Sequence, residues 1–297
     1  MRKGIVDLGT NTFNLLIGEC QENKLTIEYT TKRPVLLGMG GINEGVIAKD
    51  AMSRAKEALS EFKAICTQYN VESIKGIGTS ALRCASNSAE LISFALDELN
   101  FSIEIVSGER EAELIYLGVG LSHELNEPSV IMDIGGGSTE FVQANRTGVL
   151  KIASLDIGVS RIFQQLNKPL EYSEIDLHEI RAFLDQTEQN ALNGMECETL
   201  IGSSGSFETL YEMTFKELFP SVEKSIEIPL TKLKETLNEC IHSSYNERMQ
   251  NEWIVPIRKK MLPIAAVKIQ WIIEKLEIKR VFVSPYSLKE GAFDCTI

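Results

Sequence analysis

Apolar residues first appear along the chain in short runs, over residues 3–7, 13–20 and 24–31. Ile5 and Val6 lie in the first run, Leu15, Leu16 and Ile17 in the second, and Leu25, Ile27 and Tyr29 at alternate positions of the third. Three successive strands in an antiparallel meander are predicted. The period then lengthens. Over residues 46–68, Ile47, Ala51, Ala55, Ala58, Leu59, Phe62, Ile65 and Cys66 recur at three- and four-residue spacings, the mark of an amphipathic helix. A strand at 71–78 follows, then a helix opened by Asn87 with Glu90 three residues on and continued by Leu91, Ile92, Ala95, Leu96 and Leu99. Ile103–Val106 reads as a strand and Ser107–Val119 as a helix with an acidic first turn. Such acids ordinarily serve the helix dipole, and the pattern singles out none of Glu109, Glu111 and Glu113.

The same order restarts after a break at Gly120–Pro128, which is the predicted domain boundary. Val130–Met132 and Phe141–Val142 flank a glycine turn, a third strand covers Val149–Leu155, and a helix follows Asp156–Arg161. A long polar helix is predicted over Ser173–Met195, a strand at Glu198–Ile201, a helix from Phe207, and helices over Thr231–Tyr245 and Ile264–Leu276, with Trp271 a core residue. Arg280–Val283 is the last strand, before a turn and a short helix. A meander followed by alternating strands and helices, met twice, predicts an α/β fold with mixed sheets.

Chemistry concentrates in the turn Asp133-Ile134-Gly135-Gly136-Gly137-Ser138-Thr139-Glu140. Consecutive glycines let backbone N–H groups approach an anion with no Cβ in the way. Asp133 and Glu140 at its ends would repel a bare phosphate, which makes sense if a divalent cation lies between them and the anion. By itself the turn reads equally well as a plain β-hairpin. A second copy tips the balance: Ile5–Leu15 lies over Ile131–Phe141 without a gap, Asp7 on Asp133, Gly9 on Gly135 and Thr12 on Ser138. A duplicated domain is implied, each half offering one loop to the same phosphate chain across a cleft. Chance similarity of two short hairpins is the alternative. Gly202-Ser203-Ser204-Gly205-Ser206 opens a helix and is either a further anion site or a simple strand-to-helix turn.

Composition narrows the partners. The chain has 297 residues, 43% of them hydrophobic, enough for two domain cores. A net charge of −12 and a pI near 4.9 exclude broad binding to nucleic acid or anionic membranes. A polyanion must be met by a few placed cations, amides and metal. The six dispersed cysteines are expected to be free thiols of a reducing compartment. No stretch approaches the roughly 20 apolar residues of a membrane span, and no signal-peptide core follows Arg2-Lys3. A soluble, cytoplasmic protein is the expectation.

Several stretches together resemble the exopolyphosphatase and guanosine pentaphosphate phosphohydrolase family, of the actin-like, sugar-kinase-like superfold. They are Asp7–Phe13, Thr79-Ser80-Ala81-Leu82-Arg83, Ser107–Val119 and Asp133–Glu140, with weaker matches at Ser154–Arg161, Gly202–Ser206 and Ser284–Gly291. The resemblance implies two RNase H-like domains flanking a cleft: residues 1–124, joined by the C-terminal segment 286–297, and residues 125–285. It implies Glu111 as catalytic base, and phosphate binding by Gly9, Thr10, Asn11, Thr12, Arg83, Gly135, Gly136, Gly137, Ser138 and Thr139. Asp133 and Glu140 align with acidic positions linked to magnesium. Arg110, Arg161, Gly202, Ser204, Gly205 and Ser206 are candidates for holding the chain or a nucleotide.

The implied activity is hydrolysis of a phosphoanhydride. The leading expectation is an exopolyphosphatase releasing terminal phosphate from inorganic polyphosphate. The alternative is conversion of guanosine pentaphosphate to the tetraphosphate, a reaction of the stringent response, and a third reading is a non-catalytic sensor. A homodimer is also implied. The sequence departs from the family where Arg110 and Glu113 rearrange the charges around Glu111, with Arg110 a candidate to supply the family's displaced arginine charge. Lys289 replaces an arginine, Thr10 and Thr12 replace serines, and the helical C-terminal extension of longer relatives is not in this sequence.

Overall fold

The computed structural model describes residues 1–21 and 24–293; residues 294–297 of the expected C-terminal segment, Cys295 among them, lie outside the described residues. The first half comprises β1 (Arg2–Leu8), β2 (Thr12–Gln21), β3 (Lys24–Pro34), α1 (Lys49–Gln68), β4 (Ser73–Gly78), α2 (Ser80–Cys84), α3 (Ser88–Asp97) and β5 (Ser102–Ile105). Helix α4 (Gly108–Gly120) follows. The second half comprises β6 (Ser129–Ile134), β7 (Thr139–Asn145), β8 (Gly148–Leu155), α5 (Val159–Gln165), α6 (Glu174–Glu188), β9 (Thr199–Ser203), α7 (Gly205–Phe215), β10 (Ile226–Ile228), α8 (Leu230–His242), α9 (Tyr245–Gln250), α10 (Leu262–Lys275), β11 (Arg280–Val283) and α11 (Leu288–Gly291).

The first sheet has the order β3-β2-β1-β4-β5, with β1, β2 and β3 antiparallel and β4 and β5 joining β1 in parallel. The second has the order β10-β11-β9-β6-β7-β8. Here β6, β7 and β8 form the meander, β9 and β11 are the parallel strands, and β10 is added antiparallel at the edge. The two sheets therefore repeat one RNase H-like topology, as the duplicated loops implied.

Period-two alternation decides which face each strand residue occupies. Val6, Leu8, Leu15 and Ile17 pack with Ala51, Ala55, Leu59 and Phe62 of α1 and Leu91 of α3 in one core. Their neighbours Ile5 and Leu16 turn the other way, toward Ala112, Ile115 and Val119 of α4. The second sheet mirrors this arrangement. Val130, Met132 and Phe141 join the core beneath α6, α8 and α10, while Ile131, Val142 and Ile201 face α4. Helix α4 thus packs on both sheets, and α11 crosses it so closely that a Cβ on Gly118 would lie 1.9 Å from the Ser287 carbonyl oxygen.

Two predicted helices are shorter than the apolar pattern suggested. Helix α6 stops at Glu188 because Gln189 and Asn190 adopt left-handed φ of 42° and 69°, and Glu188 itself accepts a hydrogen bond from the Leu192 amide at 2.8 Å. The helix expected over Thr231–Tyr245 breaks at extended Ser243; Ser244 and Glu247 then form a capping box that starts α9. Trp271 is buried, its Nε1 donating to Asp185 Oδ1 at 2.8 Å. Cys66, Cys84, Cys197 and Cys240 are free thiols, but Cys20 is disulfide-bonded, so the expectation of free cysteines fails there. Among the described residues no helix is long and apolar enough to cross a membrane.

Gly118→Ala should improve helix propensity yet drive a methyl into the α11 backbone, and overpacking of this kind costs about 1–3 kcal/mol. Gly120→Ala, at a position with nothing within 4 Å, is the control. Urea unfolding should show Gly118→Ala destabilised and Gly120→Ala unchanged or slightly stabilised.

Candidate active site

Gly9–Asn11 joins β1 to β2, and Gly135–Ser138 joins β6 to β7. In each loop the carbonyls are tied to the flanking backbone. Asn11 O accepts from the amides of Val35 (3.0 Å) and Leu36 (2.8 Å), and Thr10 O from that of Gly38 (3.1 Å). In the second loop, Gly135 O accepts from Val159 N (3.1 Å), Gly136 O from Ser160 N (2.9 Å) and Arg161 N (3.1 Å), and Gly137 O from Gly158 N (3.2 Å). Among the described residues, the N–H groups of Gly9, Thr10, Asn11, Gly135, Gly136, Gly137 and Ser138 donate to no protein group. Both loops line one cleft of about 980 Å³. Unpaired amides on a cleft wall are donors for an anion.

The loops also touch each other. Ser160 Oγ, at the start of α5 beside the second loop, donates to Asn11 Oδ1 of the first at 2.7 Å. A Cβ on Gly136 would meet Asn11 Nδ2 at 2.8 Å, and one on Gly137 would meet Thr10 Oγ1 at 2.9 Å. Glycine is required here by close approach rather than by dihedral angle.

Glu111 lies in the first turn of α4, behind the cap in which Ser107 Oγ accepts from the Arg110 amide at 3.1 Å. It is 7% exposed and lines the cleft. Arg83, on α2, donates through Nη1 to Glu111 Oε2 at 3.0 Å and to Val106 O at 2.9 Å. Burial, then the nearby Glu140 charge, pushes the Glu111 carboxyl well above its ordinary value, with Arg83 pulling the other way.

Asp133 and Glu140 sit directly opposite on β6 and β7. Asp133 Oδ2 accepts from Ser203 Oγ at 2.5 Å and Ser287 Oγ at 2.6 Å, and burial raises its pKa against these donors. Glu140 Oε1 accepts from Ser154 Oγ at 2.9 Å, while Oε2 has no partner; burial raises this carboxyl too. Beneath them Lys268 is fully buried on α10 and donates to Thr139 Oγ1. Burial lowers its pKa to about 7 against the attraction of Glu140 and Asp133. In the other half, Asp7 accepts from Asn14 Nδ2 at 2.8 Å and is raised to about 6 by burial.

The structure brings together at the cleft Gly9, Thr10, Asn11, Thr12, Glu111, Asp133, Gly135, Gly136, Gly137, Ser138, Ser204, Gly205 and Ser206. Arg83, Thr139 and Glu140 lie behind that wall, with Thr139 Oγ1 turned to Lys268 and the Ile157 carbonyl. Arg161 also works from behind, donating through Nε to Gly137 O at 2.9 Å and pairing with Asp156 at 3.1 Å. Gly202 is packed under Phe207. Arg110 is exposed and pairs with Glu113 at 2.8 Å, so it brings no charge to the cleft. Ser204 caps α7 with a left-handed φ of 82°, a strained conformation for serine.

Lys289, noted in the sequence only as a replacement for an arginine, lines the cleft. Sequence reading gave no place to several others: Arg258 also lines it, its guanidinium lying over Gly205, where a Cβ would meet Nη2 at 1.4 Å. Ser203 and Ser287 hold Asp133, and Lys268 stands alone in the apolar run of α10. A lysine inside such a run was the one visible signal.

The model of the Ppx/GppA phosphatase family matches residues 16–296. A guanosine-5'-triphosphate,3'-diphosphate pyrophosphatase of Aeromonas hydrophila is 29% identical over 290 residues, 96% of this chain and 57% of that protein. One from Vibrio cholerae is 27% identical over 292 residues, again 96% of this chain and 57% of the relative. The chain therefore spans about half the length of the curated relatives it matches. Among solved structures, an exopolyphosphatase from Cytophaga hutchinsonii superimposes with a TM-score of 0.93 at 32% identity, covering 98% of this chain and 96% of that one. A Ppx/GppA family member from Aquifex aeolicus shares the fold, with a TM-score of 0.82 at 24% identity and coverage of 98% and 96%.

Gly137→Ala should force the two loops apart or remove amide contacts. Hydrogen bonds to charged groups are worth about 1.5–3 kcal/mol, so calorimetry should show tripolyphosphate affinity falling about tenfold or more, with the circular dichroism spectrum unchanged.

Proposed function

The chain belongs to the Ppx/GppA phosphatase family, and from that premise we propose that it hydrolyses the terminal phosphoanhydride of inorganic polyphosphate. The observation that carries this reading is the convergence of two loops with unpaired amides and the buried Glu111 on one cleft. Likeness to the Cytophaga protein, named an exopolyphosphatase, supports it over nearly the whole of both chains. Guanosine pentaphosphate is the second reading, favoured by the names of the Aeromonas and Vibrio relatives. Both substrates present the same reacting group.

The chemistry follows from the placement of the side chains. The loop amides grip the oxygens of the end phosphate. Glu111 accepts a proton from a water molecule whose oxygen attacks the terminal phosphorus. The bridging P–O bond then breaks, and the shortened chain leaves with the bridging oxygen. Arg83 fixes the orientation of the Glu111 carboxylate through its 3.0 Å contact. Phosphoryl transfer depends mainly on positioning and charge neutralisation, which preorganised donors supply.

Magnesium fits this donor set. Among the described residues no group of three or more His, Cys, Asp or Glu side chains forms a metal cage, but Mg²⁺ is usually held by one or two carboxylates together with substrate phosphates and water. Asp7 and Asp133 line the cleft, the Asp133 charge adds to burial in raising Asp7, and Glu140 Oε2 is a buried oxygen without a partner. Asp133, with Asp7 or Glu140, would hold the ion. When bound it neutralises charge on the phosphate oxygens.

Glu111→Gln keeps the shape and removes the base. Loss of a general base costs about 10²–10⁴ in rate, so phosphate release should nearly vanish while tripolyphosphate still binds; activity within about tenfold of wild type would contradict the role. Because the free carboxyl is raised above its ordinary 4.5, the acid limb of kcat/KM should lie above that pH. Release should be measured from short polyphosphate, long polyphosphate and guanosine pentaphosphate, with magnesium and with EDTA. Inorganic polyphosphate is expected to be turned over, with loss on chelation; turnover of guanosine pentaphosphate alone would favour the second reading.

A further inference from the structure

Among the described residues, two buried side-chain atoms lack a hydrogen-bond partner, Ser80 Oγ and Glu140 Oε2. Native proteins leave few such atoms, and each calls for a physical reason. Both lie at this site. The Glu140 oxygen belongs to the carboxylate pair already described, whereas none of the roles above uses Ser80.

Ser80 is the first residue of α2, 2% exposed, and it lines the cleft. Arg83 follows three residues later, so the two side chains share a face of that short helix. The Arg83 guanidinium on that face holds Glu111 at 3.0 Å. On its other side the hydroxyl meets the second loop, since a Cβ on Gly137 would lie 2.4 Å from Ser80 Oγ. The same Cβ would lie 2.9 Å from Thr10 Oγ1 of the first loop. The free hydroxyl therefore sits beside both loops, on the helix whose Arg83 holds the glutamate. Its neighbour differs: Thr79 Oγ1 is already committed to the Leu8 carbonyl at 3.3 Å.

We propose that Ser80 is a substrate-contacting residue, donating through Oγ to a non-bridging oxygen of the terminal phosphate. This rests on the reading of the cleft as a phosphate-hydrolysing site. A neutral donor suits the position, because it adds a contact to the phosphate without adding charge beside Glu111. It also explains why a buried hydroxyl is left unpaired by the protein itself.

The two roles open to a buried serine predict opposite effects on stability. A hydroxyl that served the fold would cost stability when removed. One that the fold leaves unpaired imposes a desolvation cost, so Ser80→Ala should unfold at the same or a higher temperature. The test uses the full chain. Tripolyphosphate affinity is measured by calorimetry with magnesium in the Glu111→Gln background, with and without Ser80→Ala, and phosphate release is measured for wild type and Ser80→Ala. Affinity and kcat/KM are expected to fall roughly 10- to 100-fold, the worth of a hydrogen bond to a charged group, with no loss of thermal stability. Affinity and turnover within about threefold of the parent would overturn the proposal, as would losses accompanied by a lower unfolding temperature. If the wild type releases no phosphate from any substrate, the hydrolase reading fails, and the affinity comparison still decides the role of Ser80. Failure of the parent to bind tripolyphosphate overturns both.

Discussion

Burial of like charges is the constraint on which this structure turns. Glu111, Asp133 and Glu140 are each less than a tenth exposed; burial raises all three carboxyls, the Glu140 and Asp133 charges raise Glu111 further, and the Asp133 charge raises Glu140. Taking a carboxylate out of water costs several kcal/mol unless it is paired and hydrogen-bonded. The surroundings meet that demand with named groups: Arg83 on Glu111, two serine hydroxyls on Asp133, a third on Glu140, and the ammonium of Lys268 beneath. These partners come from α2, β9, the turn before α11, β8 and α10. Elements far apart in sequence are thus held to one small volume by electrostatics, and the packing of α4 on both sheets sets where that volume lies.

Duplication supplies the scaffold, and its two halves have diverged at the site. Asp7 and Asp133 occupy the same place in the same strand order, and both hairpin loops turn unpaired amides into the cleft. Opposite Asp7 stands Asn14, which donates to it; opposite Asp133 stands Glu140, which cannot when ionised. One half is self-satisfied. The other carries surplus negative charge, partly balanced by the buried Lys268.

Features written in local pattern were legible in the sequence. The meanders and the paired loops follow from residue spacing, and the repeat of Asp7–Asn14 in Asp133–Glu140 pointed to two similar sheets. Glu111 was not legible that way; an acidic first turn offers three glutamates, and only resemblance chose among them. Arg110 misled because charge was counted without direction, whereas a spacing of three on α4 pairs it outward with Glu113. Ser203, Ser287 and Lys268 reach the site through strand register and helix packing, which no short window contains. Helix ends were misplaced where side chains compete with the backbone, at Glu188 and at the Ser244 capping box.

The proposed chemistry needs two loops and one glutamate to act on a single phosphate. A crystal structure of Glu111→Gln soaked with tripolyphosphate and magnesium tests it most directly. The terminal phosphate should lie within hydrogen-bond distance of amides from both Gly9–Asn11 and Gly135–Ser138, with residue 111 facing its phosphorus. A chain bound to one loop alone, or seated away from residue 111, would contradict it.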